Sequence, residues 1–129
     1  MTFGNTLAAL ALALTSLALP ALASAADPTG TWQTSTGESR YAVSYCGDGT
    51  QLCAKLTWLR DDAKTPENLA LLGDYVVQGA EATGANQWQG RVSYEGDTYS
   101  GRVTMVTDDA MRLSGCQGIF CKSLQFERL

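Results

Sequence analysis

Between Thr29 and Arg128 the sequence repeats one pattern: a short run with apolar residues at every second position, then a cluster of Gly, Asp, Asn or Ser. Short strand segments closed off by turn residues at regular intervals are the signature of an all-β sandwich or barrel. The pattern predicts strands over Thr29–Thr34, Ser39–Cys46, Gln51–Trp58, Leu71–Ala80, Gln87–Tyr94, Thr98–Val106, Ala110–Cys116 and Gly118–Arg128. Turn signals separate them at residues 35–37, 47–49, 84–86, 95–97 and 108–109. No helical period is visible. The long connection from Arg60 to Asn68 is polar, contains Pro66 and reads as a mobile loop or lid.

The two-residue period of a strand assigns the faces. One face collects Tyr41, Val43 and Tyr45, then Leu52, Ala54, Leu56 and Trp58, then Trp88, Val92 and Tyr94, then Tyr99, Val103 and Met105. Tyr75 joins them from the fourth strand. The last strand adds Phe120, Leu124 and Phe126, with two cations among them, Lys122 and Arg128. The opposite face carries Arg40, Lys55, Arg91, Arg102 and Arg112 with most of the Ser, Thr and Gln. One apolar and one polar face suit an antiparallel sheet with one side in water. Eight such strands, with too few residues for a second layer, predict a closed eight-stranded antiparallel up-and-down barrel, which leaves no free edge. A half-open barrel or small sandwich is the alternative.

The chain has 129 residues, and all nine basic and thirteen acidic ones follow residue 25. Leu7 to Leu19 is almost uninterrupted Leu and Ala, the length of a signal-peptide core and too short to span a bilayer. Small residues from Ala21 to Ala26 offer cleavage sites, so residues 1–25 are expected to be a signal peptide and 26–129 a single domain, periplasmic or secreted, with no transmembrane segment. Four cysteines in an exported domain read as two disulfides. Of the three connectivities, spacing favours Cys46 with Cys53 and Cys116 with Cys121; each pair flanks a turn and falls on the polar face. A zinc site competes, but the spacings do not match the usual knuckles.

The formal net charge is −4 with no basic run, which argues against a nucleic-acid partner. Histidine is absent, removing the commonest general base and transition-metal ligand. Asp61-Asp62 and Asp108-Asp109 read as solvated turn carboxylates. No serine or threonine sits in a nucleophile-elbow pattern. The expectation is therefore a protein that is not an enzyme and carries no cofactor or metal.

Gly30-Thr31-Trp32 near the start of the domain, with Arg128 one residue from the end, resembles the lipocalin-like (calycin) arrangement. There a late Arg lies across the indole of the first-strand Trp, a cation–π pair. A closer resemblance covers most of the domain. Gly30-Thr31-Trp32, Leu52-Cys53 to Trp58-Leu59, Leu71-Leu72-Gly73, Trp88-Gln89-Gly90 and Gly96-Asp97-Thr98-Tyr99 are similar to the domain-of-unknown-function 2147 family of small exported bacterial proteins. So is the ending Leu113 to Cys116 with Cys121, Ser123-Leu124-Gln125 and Arg128. Ala54 and Phe126 depart from it, standing where the family tends to have Gly and Trp. The resemblance implies a fold and an export route, and no activity.

A lysine on an apolar barrel face needs a compensating partner. Lys122 therefore reads as a lure for the carboxylate or phosphate of an otherwise apolar ligand, with Tyr41, Tyr45, Trp58, Tyr75, Trp88, Tyr94 and Tyr99 lining the pocket. The plainer reading has Lys122 reaching solvent at the hairpin end and the aromatics filling the core. Two classes of function follow. The first is a non-enzymatic lipocalin-like protein that holds a small apolar or anionic amphipathic ligand inside the barrel. The second is an envelope protein-interaction module with a filled barrel, an inhibitor or assembly component acting through the 60–68 loop.

Overall fold

The computed structural model describes residues 26–129 and the isolated positions Gly4 and Ala13; the expected signal peptide lies outside the described residues. The strands are β1 (Gly30–Thr34), β2 (Ser39–Cys46), β3 (Gln51–Leu59), β4 (Tyr75–Gly84), β5 (Gln87–Tyr94), β6 (Asp97–Thr107), β7 (Ala110–Gln117) and β8 (Phe120–Arg128). Each pairs antiparallel with the next, and β8 returns to β1, so the sheet is a closed up-and-down barrel. The disulfides are Cys46–Cys53 and Cys116–Cys121, with Cα separations of 5.9 and 4.0 Å. No helix among the described residues is long and apolar enough to cross a membrane.

One expected strand is corrected. Alternation predicts the fourth at Leu71–Ala80, but the chain first forms a 3₁₀ turn at Asp61–Ala63 and a helix α1 at Pro66–Leu71, and β4 begins at Tyr75. The reason is local. Thr65 is an N-cap whose hydroxyl accepts the Asn68 amide, and Pro66 occupies the first turn with its fixed φ.

Even-numbered hairpin turns and odd-numbered ones fall at opposite ends. The floor holds the β2–β3, β4–β5 and β6–β7 turns with the start of β1 and the end of β8; the mouth holds the β1–β2, β5–β6 and β7–β8 turns and the long β3–β4 connection.

The floor is sealed by Trp32, which has 0% of its surface exposed. Its indole N–H donates to the Pro28 carbonyl at 2.9 Å, and the Arg128 guanidinium lies 4.4 Å from its ring centroid. That guanidinium also donates to the carbonyls of Asp27 (2.6 Å), Thr29 (2.7 Å) and Asp108 (2.8 Å). The expected indole–arginine pair is thus present, and it joins residues 27–29 and the last strand to a floor turn. Val43, Leu52, Leu56, Val77, Val92, Val103, Met111 and Phe126 fill the interior above it.

Three aromatics expected inside the barrel lie outside it, each for a backbone reason. In β3, Arg40 pairs with Trp58 but Tyr41 pairs with Leu56, so one residue is extra and every later side chain changes face. Leu59 is therefore buried, whereas Trp58 lies outside, 37% exposed, with the Arg40 guanidinium 4.3 Å from its ring. In β4 a similar shift at Val76 leaves Val76 and Val77 both buried and turns Tyr75 outward beneath Lys55. Tyr45 keeps its alternation, but β1 begins opposite Val43, so no strand covers it and it is exposed.

Gly90, Gly101 and Gly115 lie side by side on β5, β6 and β7, on the inner face. A Cβ on Gly90 would sit 2.9 Å from the Ala80 backbone, and one on Gly101 would collide with Val92. The wall is drawn inward along this row, as glycine kinks allow in small barrels.

The Arg128→Lys variant should unfold at lower denaturant, with about 2 kcal/mol less stability. Lysine keeps the charge but lacks the planar fork that reaches three carbonyls and the ring. An unchanged urea midpoint would contradict this account of the floor.

Candidate functional site

At the mouth the barrel is not filled. A chamber of about 150 Å³ lies between the barrel rim and α1. Its apolar side is Leu56 and Leu59 of β3, Leu71 of α1, Val76 of β4 and Leu124 of β8. Its polar side is Ser39 and Tyr41 of β2, Asn68 of α1 and Ser93 and Tyr94 of β5, with Glu38 and Glu95 at the rim turns. Below it, among Trp32, Val43, Leu52, Val103 and Met111, the core leaves a void of only about 40 Å³. A side niche of about 20 Å³ borders Tyr99, Gly115 and Lys122. Tyr94 and Leu124 line all three spaces and divide them.

The cover over the chamber is held at both ends. The Asn68 side-chain amide donates to the Ala63 carbonyl at 2.9 Å. Beyond α1, the Gly73 amide donates to Leu56 and the Leu56 amide donates to Asp74, which ties the helix exit to β3. Across the mouth, Glu67 packs against the β5–β6 turn at Gly96. Of the connection itself, Ala63 is buried and Leu71 packs on the core, but no residue of α1 is fully buried.

The chamber is negative at its rim and carries protonated phenols inside. Burial pushes the Tyr41 phenol above its ordinary range; the Ser39 hydroxyl, which donates to it at 3.2 Å, opposes this in part, and the Glu38 and Glu95 carboxylates reinforce it. Partial burial, then the Glu95 carboxylate, pushes Tyr94 up to about 12. Both phenols are therefore donors at neutral pH, next to carboxylates that favour cations and repel anions.

Lys122 is not inside the barrel. It is exposed at the rim, opposite Gly115, with its ammonium 5.8 and 5.7 Å from the ring centroids of Tyr94 and Tyr99. The strand's inward face runs past the barrel's end here, which also leaves Phe120 73% exposed. Among the other residues expected to line a pocket, Tyr41 and Tyr94 reach the chamber. Tyr99 borders the niche; Trp88 is buried near the floor, its indole donating to the Thr50 carbonyl at 3.3 Å; Tyr45 and Trp58 are outside. Sequence reasoning misses Asn68 because the 60–68 connection reads as a mobile loop or lid, and Ser93, Glu38 and Glu95 because they are polar residues on or beside rim turns. Thr65-Pro66-Glu67, a capping residue, a first-turn proline and a first-turn acid, is the signal that marks the helix.

Residues 30–128 match the family described as an uncharacterized protein conserved in bacteria, DUF2147. The chain belongs to that family. No curated protein matches it. Among solved structures it is similar to a redesigned β-barrel, with a TM-score of 0.50 and 12% identity over 78% of this chain and 90% of the other. That likeness concerns the barrel alone.

The phenols generate a pH test. A folded-state pKa above the unfolded value of about 10 means that the unfolded chain loses its proton first, so stability present below pH 10 is lost as pH rises towards 12. Tyr94→Phe should remove a late component from the phenolate absorbance titration and flatten the fall in stability over that window. If every tyrosine ionises near its ordinary value, the proposed surroundings of Tyr94 are wrong.

Proposed function

We propose that this protein is an exported, non-enzymatic binding protein of the bacterial envelope that holds a small, partly apolar, neutral or cationic group at the mouth of the barrel, beneath α1. The observation that carries this reading is the chamber of about 150 Å³ with aliphatic side chains on one side and protonated phenols, serine hydroxyls and an amide on the other. An apolar cavity of about 150 Å³ accommodates a guest the size of benzene, whereas drug-sized ligands fill about 300–1,000 Å³. The core void of about 40 Å³ is too small for a lipid chain, so a guest deep in the barrel is not favoured. The acidic rim and the displacement of Lys122 to the outside of the chamber argue for a neutral or cationic guest over the anionic amphiphile expected from sequence.

The absence of catalytic work is part of this reading. The sequence has no histidine, its four cysteines are paired, and the chamber's phenols are held protonated rather than poised as bases. Export is supported by the apolar run at Leu7–Leu19 and by two disulfides, which persist in oxidising compartments. The reading as a protein-interaction module acting through the 60–68 loop draws on Leu69 and Leu72, which lie at 47% and 40% exposure, Leu72 sharing a surface hollow with Trp58.

Titration of the isotope-labelled protein with phenethylamine, a ring with an ammonium, should shift the amides of Asn68, Ser93 and Tyr94. The matched anion 3-phenylpropionate should bind about tenfold more weakly. Tighter binding of the carboxylate would return the site to Lys122. No response to either probe would remove the chamber as a binding site.

A further inference from the structure

The outer wall carries a second feature, independent of the mouth. Arg91, Arg102 and Arg112 stand on β5, β6 and β7, all on the outer face and all exposed. Their registers place them on one diagonal: Arg91 pairs with Ser100, Arg102 lies two residues along β6 and pairs with Ser114, and Arg112 lies two residues back along β7. Diagonal cross-strand neighbours are about 7–8 Å apart, so three guanidinium groups follow one another at even steps. None has a carboxylate within ion-pair distance among the described residues, although the protein carries a net charge of −4. Arg102 is instead held by the Gln89 side-chain oxygen, which accepts from Nε at 3.1 Å and Nη2 at 2.8 Å in the amide orientation its neighbours require.

The wall is hollowed beside Arg91 and Arg102, and Arg112 continues the diagonal beyond the hollow. Gly90 and Gly101, paired across β5 and β6, draw the sheet inward, and a groove of about 770 Å³ opens on the outside. Thr83, Gln89, Ser100 and Ser114 border it with Arg91 and Arg102, and Glu81 places one carboxylate at its margin. Apart from the Cys116 sulfur, no apolar side chain among the described residues lines it.

We infer that this groove binds a linear, carboxylate-bearing polysaccharide. Evenly spaced guanidinium groups suit a polymer with repeated anions better than a single oxyanion, and the guanidinium fork matches a carboxylate. Hydroxyls, amides and the Glu81 carboxylate give hydrogen-bonding partners to sugar hydroxyls. An acidic peptide is less well served. Arginine clusters can also read acidic peptides, but peptides otherwise add affinity by extending an open sheet edge or seating apolar anchors in pockets, and a closed barrel with this lining provides neither.

The test is calorimetric titration of the folded protein with tetragalacturonate at low ionic strength, beside its uncharged methyl ester and a hexaglutamate peptide. The inference expects tetragalacturonate to bind, the ester to bind about tenfold or more weakly, and the R91Q/R102Q variant to lose tetragalacturonate by a similar factor. Phenethylamine shifts at Asn68 and Tyr94 should be the same in this variant, which shows that the fold and the mouth are intact. Absence of tetragalacturonate binding, binding unaffected by the two substitutions, or tighter binding of hexaglutamate would each overturn it.

Discussion

The structure depends on closing a sheet whose first strand is only five residues long. β1 meets β8 over three consecutive residues, Trp32 with Arg128, Gln33 with Glu127 and Thr34 with Phe126, the shortest paired run in the barrel. A barrel left open there would expose two strand edges. The Arg128 guanidinium reinforces the seam where the ladder is shortest. It stacks on the indole that plugs the floor and takes up carbonyls from the N-terminal segment and from the β6–β7 turn. A charged group can sit against a buried indole because its donors are met by carbonyls and part of it still reaches water.

From that seal follows an asymmetry along the barrel axis. The floor is occupied by Trp32, Pro28 and Leu52, the largest fully buried side chains. Among the described residues the mouth has no equivalent plug; it is covered by α1, a helix of six residues with none fully buried. A helix so short has little stability of its own, so its place depends on the contacts at its two ends. The disulfides divide in the same way, one at the floor hairpin β2–β3 and one at the rim hairpin β7–β8. Each closes a very short loop, which limits the entropy it removes from the unfolded chain and leaves the fixing of hairpin register as its clearest effect. The rim beside Lys122 is thereby stapled, while the cover opposite is not.

Much of this was legible in the residues. Period-two alternation and turn chemistry gave β2 and β5 their full extents, the closed topology, the cysteine pairs and the outward arginines. The Trp32–Arg128 pair came from a resemblance and not from periodicity. What alternation could not show were the shifts near Thr57 and Val76, because an extra residue leaves no mark in a sequence that is apolar on both sides of it. Trp58-Leu59 and Val76-Val77 offer two apolar neighbours each, and packing decides which one enters. The site escaped for a related reason. Lys122 obeys the inward period, but a period says nothing about where the barrel ends, and α1 is too short to display one.

Native-state hydrogen exchange followed residue by residue tests most directly the claim that the floor is sealed and the mouth is closed only by a weakly held cover. The amides of Trp32 and Arg128 should exchange only through global unfolding, with rates that follow denaturant as the whole barrel does. Those of Leu69 and Leu72, bonded to Thr65 and Leu69 within the cover, should exchange far faster and with little denaturant dependence. Equal protection at the two ends would contradict the account, since the chamber would then lie under a cover as firmly held as the floor.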